Sequence, residues 1–132
     1  MTTTLAFVCV QNAGRSQMAT AFAERERDRR DLEYDILTGG THPADSVHEE
    51  VVDAMREVGI DLADRTPRAV TDEELARADA VATMGCSTLT LPDGVESHDW
   101  ALDDPDGESP EEVAAIRDEI ERRVTRLFDS LD

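Results

Sequence analysis

The chain contains no lysine. All of its thirteen basic residues are arginine, set against thirty-one aspartates and glutamates for a formal net charge of -18. A charge of that size strains a compact state by self-repulsion in dilute buffer, yet keeps it soluble where salt is abundant. Adaptation to molar intracellular salt is the expectation. The acids are spread along the sequence rather than gathered into a tail for docking a basic partner, and the same repulsion disfavours nucleic acid. Cysteine is scarce too. Cys9 and Cys86 are too few for a secreted disulfide scaffold and read as reactive or buried thiols of a reducing compartment. No run approaches the ~18 apolar residues of a membrane span. The N-terminus lacks the basic and apolar regions of a signal peptide, so a soluble cytoplasmic protein with no membrane partner is expected. Aromatic residues make up only 4% of the chain, which leaves few walls to enclose a phenol ring. His42, His48 and His98 show no zinc-ligand spacing, so no metal is expected.

What is present fits one domain over residues 1–132. At 39% hydrophobic residues, a chain of this length can bury about two thirds of its unfolded surface. Leu5–Val10 is a short apolar run suited to a central parallel strand. Ser16–Arg30 follows as a helix with Met18, Ala19, Phe22 and Ala23 inward. Tyr34–Thr38 reads as a second strand that stops at Gly39-Gly40. Ser46-Val47-His48-Glu49 has the form of a capping box ahead of a helix whose face is Val47, Val51, Met55 and Val58, closing at Gly59. Thr71-Asp72-Glu73-Glu74 is a second capping box, opening a short helix to about Ala78. Ala80–Met84 is a third strand, and a fourth lies between Val95 and Trp100. Ser109-Pro110 starts the last helix, with Val113, Ile116, Ile120, Val124 and Leu127 as its buried stripe. Strands alternate with helices throughout, which predicts an α/β fold: a parallel sheet with helices on both faces.

The most informative stretch is Cys9-Val10-Gln11-Asn12-Ala13-Gly14-Arg15-Ser16. A strand that turns into a helix through such a loop aims backbone N–H groups and the positive end of the helix dipole at one point, a ready anion site. Cys9 sits in the field that lowers a thiol pKa and is the candidate nucleophile. Arg15 can grip two oxygens of a tetrahedral oxyanion with its planar fork. Ser16 can donate its hydroxyl to the sulfur or serve as a helix N-cap. Asn12 can pin the loop, since asparagine tolerates a left-handed φ. Residues Val10, Gln11, Asn12, Ala13, Gly14, Arg15 and Ser16 form the candidate oxyanion-binding loop.

Phe7-Val8-Cys9-Val10-Gln11-Asn12-Ala13-Gly14-Arg15-Ser16-Gln17-Met18-Ala19 resembles the active-site segment of the low-molecular-weight protein tyrosine phosphatase superfamily, and within it the related arsenate reductases. The likeness extends through Thr38-Gly39-Gly40, Met55 to Asp61, Thr83-Met84-Gly85-Cys86 and Trp100 to Pro105. It implies a three-layer fold around a four-stranded parallel sheet, with Cys9 at the carboxyl end of the first strand. It implies that Asp104, before Pro105, is the general acid, and that Cys86 attacks the adduct formed on Cys9. The product would be arsenite and a Cys9–Cys86 disulfide, with no bound cofactor. An external thiol, a thioredoxin-like protein or a low-molecular-weight thiol, would then reduce the disulfide. Some reductases carry a further cysteine soon after; Ser87 to Leu91 supplies none. Some also hold potassium behind the loop, but Thr20 and Arg68 stand where two acidic ligands would be, so the charge of Arg68 would replace the ion. Two other readings stay open. One is a phosphatase acting on phosphotyrosine or a small phosphoester through a phosphocysteine. The other is a non-catalytic oxyanion or redox sensor.

Overall fold

The computed structural model describes residues 3–84, 95–102, 105 and 107–131. Four strands, β1 (Thr3–Cys9), β2 (Tyr34–Gly40), β3 (Ala80–Met84) and β4 (Glu96–Asp99), form one parallel sheet in the order β2-β1-β3-β4. Among the described residues four helices connect or flank them: α1 (Arg15–Arg29), α2 (Glu49–Arg56), α3 (Asp72–Arg77) and α4 (Pro110–Leu131).

The alternation of side chains along β1 sorts two cores. Leu5, Phe7 and Cys9 point into the larger one, shared with α1, α2 and α4; Ala6 and Val8 point into a smaller one with Leu75 and Ala78 from the α3 side. Helices therefore cover both faces, as the sequence pattern predicts. Because β1 is central, Cys9 ends a strand paired on both sides, opposite Gly40 in β2 and Met84 in β3. Ligands of open α/β sheets gather at such carboxyl ends.

Three expectations need correction. The second strand does not stop before Gly39-Gly40; it runs through them. The glycines are needed because other backbone crowds in. A Cβ on Gly39 would lie 2.8 Å from Val70 N, and one on Gly40 would lie 2.5 Å from Val10 O. The Ser46 capping box does not form. α2 begins later, with His48 as its N-cap and no side-chain cap, because the His48 amide is drawn to Ala13 O at 3.0 Å. The buried stripe of α4 is broader than Val113, Ile116, Ile120, Val124 and Leu127. Ile116 is only half-buried, whereas Phe128 and the charged Arg117 are buried. Arg117 bolts α4 to α2 by donating to Ala54 O (2.8 Å) and Glu57 (3.0 Å). The Thr71 capping box and the Ser109 cap form as read. Among the described residues no helix is long and apolar enough to cross a membrane.

Candidate functional site

The loop from Cys9 to Gly14 is held from outside by its carbonyls. Cys9 O accepts from Thr41 N, Val10 O from His42 N, Gln11 O from Ala44 N, Ala13 O from His48 N and Gly14 O from Met18 N. Asn12 O accepts from the Gln17 side chain at 3.1 Å. In a planar trans peptide the C=O and the next N–H point opposite ways. Each tethered carbonyl therefore turns the amide that follows it the opposite way. Oriented amides at a helix N-terminus attract an anion.

Asn12 fixes this shape. Its φ is 51°, in the left-handed region, and its fully buried side chain uses its whole bonding capacity. Nδ2 donates to Ser16 Oγ (2.7 Å) and Thr38 Oγ1 (2.8 Å), while Oδ1 accepts from Gln17 Nε2 (3.1 Å) and Arg68 N (3.0 Å). An amide NH2 can only donate, so Ser16 Oγ accepts from Asn12. Its own hydrogen is left for Cys9 Sγ, 2.9 Å away, whenever that sulfur is a thiolate; against a thiol either atom can donate. Ser16 is not the helix N-cap; Gly14 is. Its hydroxyl serves the sulfur instead. Cys9 is 3% exposed, at the base of the loop.

Arg15 opens α1 and donates through Nη1 to Leu102 O at 3.0 Å. Pro105 presses on the other side, where a Cβ on Gly14 would lie 3.0 Å from its Cγ. Leu102 and Pro105 thus both lie against the end of the loop, the first hydrogen-bonded to Arg15 and the second close to Gly14. At the rim, Oε1 of the exposed Gln11 side chain and His48 Nε2 are 2.9 Å apart. Asp104 and Cys86 lie outside the described residues.

Three participants carry no role in the sequence reading: Thr38, Gln17 and His48. Gln17 had a signal, a polar residue among apolar neighbours in a helix front that proves 1% exposed. Thr38 lies 26 residues from its partner Asn12 and gave none. An alkali ion behind the loop does not fit these residues. Thr20 Oγ1 donates to Ser16 O (2.7 Å), and the Arg68 guanidinium already donates to Thr38 O (2.7 Å). Among the described residues no cluster of three or more His, Cys, Asp or Glu could hold a metal ion.

Residues 4–132 match the model of a family described as low molecular weight phosphotyrosine protein phosphatase. A relative from Halobacterium salinarum, provisionally named an arsenate reductase, is 66% identical over 99% of this chain and 94% of its own. Among solved structures, a thioredoxin-dependent arsenate reductase from Corynebacterium glutamicum superposes with a TM-score of 0.81 at 31% identity. The match covers 98% of this chain but only 61% of that longer one. An arsenate reductase in its phosphate-binding state gives a TM-score of 0.85 at 28% identity, covering 98% of this chain and 99% of that one. The halophilic relative and the lysine-free, acidic composition agree.

Proposed function

We propose that this chain, which belongs to the low molecular weight phosphotyrosine protein phosphatase family, reduces arsenate to arsenite through Cys9. The observation that carries the reading is the 2.9 Å contact between the Ser16 hydroxyl and the Cys9 sulfur, at the start of a loop whose carbonyls are tied to the surrounding chain. A thiolate at that point, stabilised by a hydroxyl donor and by oriented amides, is a nucleophile with its substrate's site beside it. The names of the relatives favour arsenic over a phosphoester.

The steps balance as follows. The Cys9 sulfur attacks arsenic(V) while Arg15 and the loop amides hold the remaining oxygens, and one oxygen leaves as water on a proton from Asp104. Leu102 and Pro105, both against the end of the loop, support that role for Asp104. A carboxyl near a bound dianion keeps its proton more readily. Cys86 then attacks the Cys9 sulfur. The electron pair of the sulfur–arsenic bond passes to arsenic, which departs as arsenite, and a Cys9–Cys86 disulfide remains. Met84 lies beside Cys9 in the sheet, and Cys86 is two residues further along the chain, which favours this pairing. An external dithiol, a thioredoxin-like protein or a low-molecular-weight thiol of the cytoplasm, restores both thiols. The shared sheet and cores support reading residues 1–132 as a single domain.

The test offers arsenate with a reductant, then an aryl phosphate, in molar salt to the wild type and to Cys86→Ser. Arsenite formation that the substitution abolishes is the expected result. Ester hydrolysis indifferent to Cys86, with no arsenite, would replace this reading with the phosphatase. Tight oxyanion binding with neither turnover would leave a sensor.

A further inference from the structure

Behind the loop a cation is built into the scaffold. Arg68 lies on a segment that pairs with the end of β2: Gly40 N donates to Arg68 O (2.9 Å) and Val70 N to Gly40 O (3.2 Å). The Arg68 amide donates to Asn12 Oδ1 (3.0 Å), its Nη1 to Thr38 O (2.7 Å), and its Nη2 pairs with Glu74 Oε2 (2.8 Å). Glu74 is itself held in the capping box of α3. Burial pushes the Glu74 carboxyl up, but the hydrogen bonds from Arg68 and the Thr71 amide outweigh it and hold it below its usual 4.5. It is charged at neutral pH and keeps the guanidinium in place.

Of the oxygens behind the loop, Thr38 O and Asn12 Oδ1 both already accept from Arg68, and the buried Gln17 Oε1 alone lacks a partner among the described residues, fewer than a desolvated alkali ion needs. Thr38 and Asn12 are also joined to each other, Nδ2 to Oγ1. Arg68 thus grips Asn12, which bonds the Ser16 hydroxyl, and Thr38, which bonds Asn12. We propose that Arg68 is a positioning residue for Cys9. Its fixed guanidinium stands in place of a bound alkali cation and keeps Asn12 and Ser16 arranged so that a hydroxyl hydrogen meets the sulfur. The inference rests on Cys9 being the reactive thiol of the proposed reaction, but not on arsenate being its substrate.

The experiment reads the thiol directly. In a Cys86→Ser background Cys9 is the sole thiol, and its alkylation by iodoacetamide is followed against pH in molar KCl and in molar NaCl. The other charged or titratable groups around the loop, Arg15 at its end, His48 at its rim, His42 beyond it and Glu74 behind, are the same in both salts. The two salts should give one profile. Arg68→Ala should displace it toward higher pH, with about tenfold less reaction on the acid limb, equivalent to one pH unit. Arg68→Lys, which keeps the charge and a donor, should recover most of the loss. An unmoved profile in a folded Arg68→Ala protein overturns the inference, whatever its Tm does, and so does a wild type whose reactivity depends on potassium. If Arg68→Ala fails to fold, Arg68→Gln decides in the same way. A displaced profile in a protein that produces no arsenite would sink only the reductase reading.

Discussion

From Ser16 to Ala23, helix α1 is buried on every side; from Glu24 onward it is half-buried or exposed. The buried front carries neutral polar groups bonded to the loop and to its own backbone: Ser16 to Cys9 and Asn12, Gln17 Nε2 to Asn12, Thr20 to the Ser16 carbonyl, with Gln17 Oε1 left without a partner among the described residues. The tail carries charges in excess, paired across to α4 as Arg25 with Glu121 and Arg30 with Asp129, with both arginines also resting over Phe22 and Phe128. One helix therefore shows two ways of using polarity. Bonds inside the front are beyond the reach of salt and set the geometry of the sulfur. Pairs along the tail are screened in molar salt and serve solubility more than shape. A protein that must work in concentrated salt does well to build its site from the first kind.

Breaking the buried side should have the largest effect. Asn12→Ala strands the Arg68 amide, removes one partner each from Ser16 Oγ, Thr38 Oγ1 and Gln17 Nε2, and places alanine at a left-handed φ. A loss of about 4 kcal/mol is expected from thermal unfolding in molar salt, with turnover reduced at least 100-fold. Gly40→Ala comes next. Its Cβ would meet the Val10 carbonyl at 2.5 Å, a backbone atom that cannot swing aside, so a cost of about 2 kcal/mol is expected. On the exposed side, Arg30→Ala should cost no more than about 1 kcal/mol, and a salt titration should shrink the difference. The smallest effect concerns Glu74. A carboxyl held below its unfolded value stabilises the fold above that value and loses the contribution as pH falls through its folded one. Glu74→Gln should therefore be slightly destabilising at pH 7 and indistinguishable from wild type well below pH 4.5.

The same contrast explains what could be read from the sequence. The strand, the loop and the apolar face of α1 were legible because period and spacing are local properties, and the Thr71 and Ser109 caps are complete within four residues. The capping box at Ser46 failed through a distant event, the capture of the His48 amide by Ala13 O. Gly39 and Gly40 read as a stop because nothing local shows Val70 and Val10 crowding in from either side. In the site, Cys9, Asn12 and Ser16 were legible as one motif. Arg68 was named only through the family resemblance, and the role of Thr38 was not legible, since the use of both depends on β2 and a later segment arriving behind the loop. Arg117 was hidden among the expected apolar positions of α4 because a charge inside a helix stripe looks like an interruption until Ala54 O is seen opposite it.

The outward tethering of the loop carbonyls carries one more consequence. Each peptide hydrogen of residues 11 to 14 points opposite to the tether on the carbonyl before it, so deuterium should replace these hydrogens quickly in the free protein. A tetraoxo anion bound there would slow that replacement at those positions, while the tethering amides of residues 41, 42, 44 and 48 stay as they were. Occupancy could then be followed by mass, residue by residue, with no chromogenic substrate and no chemistry taking place.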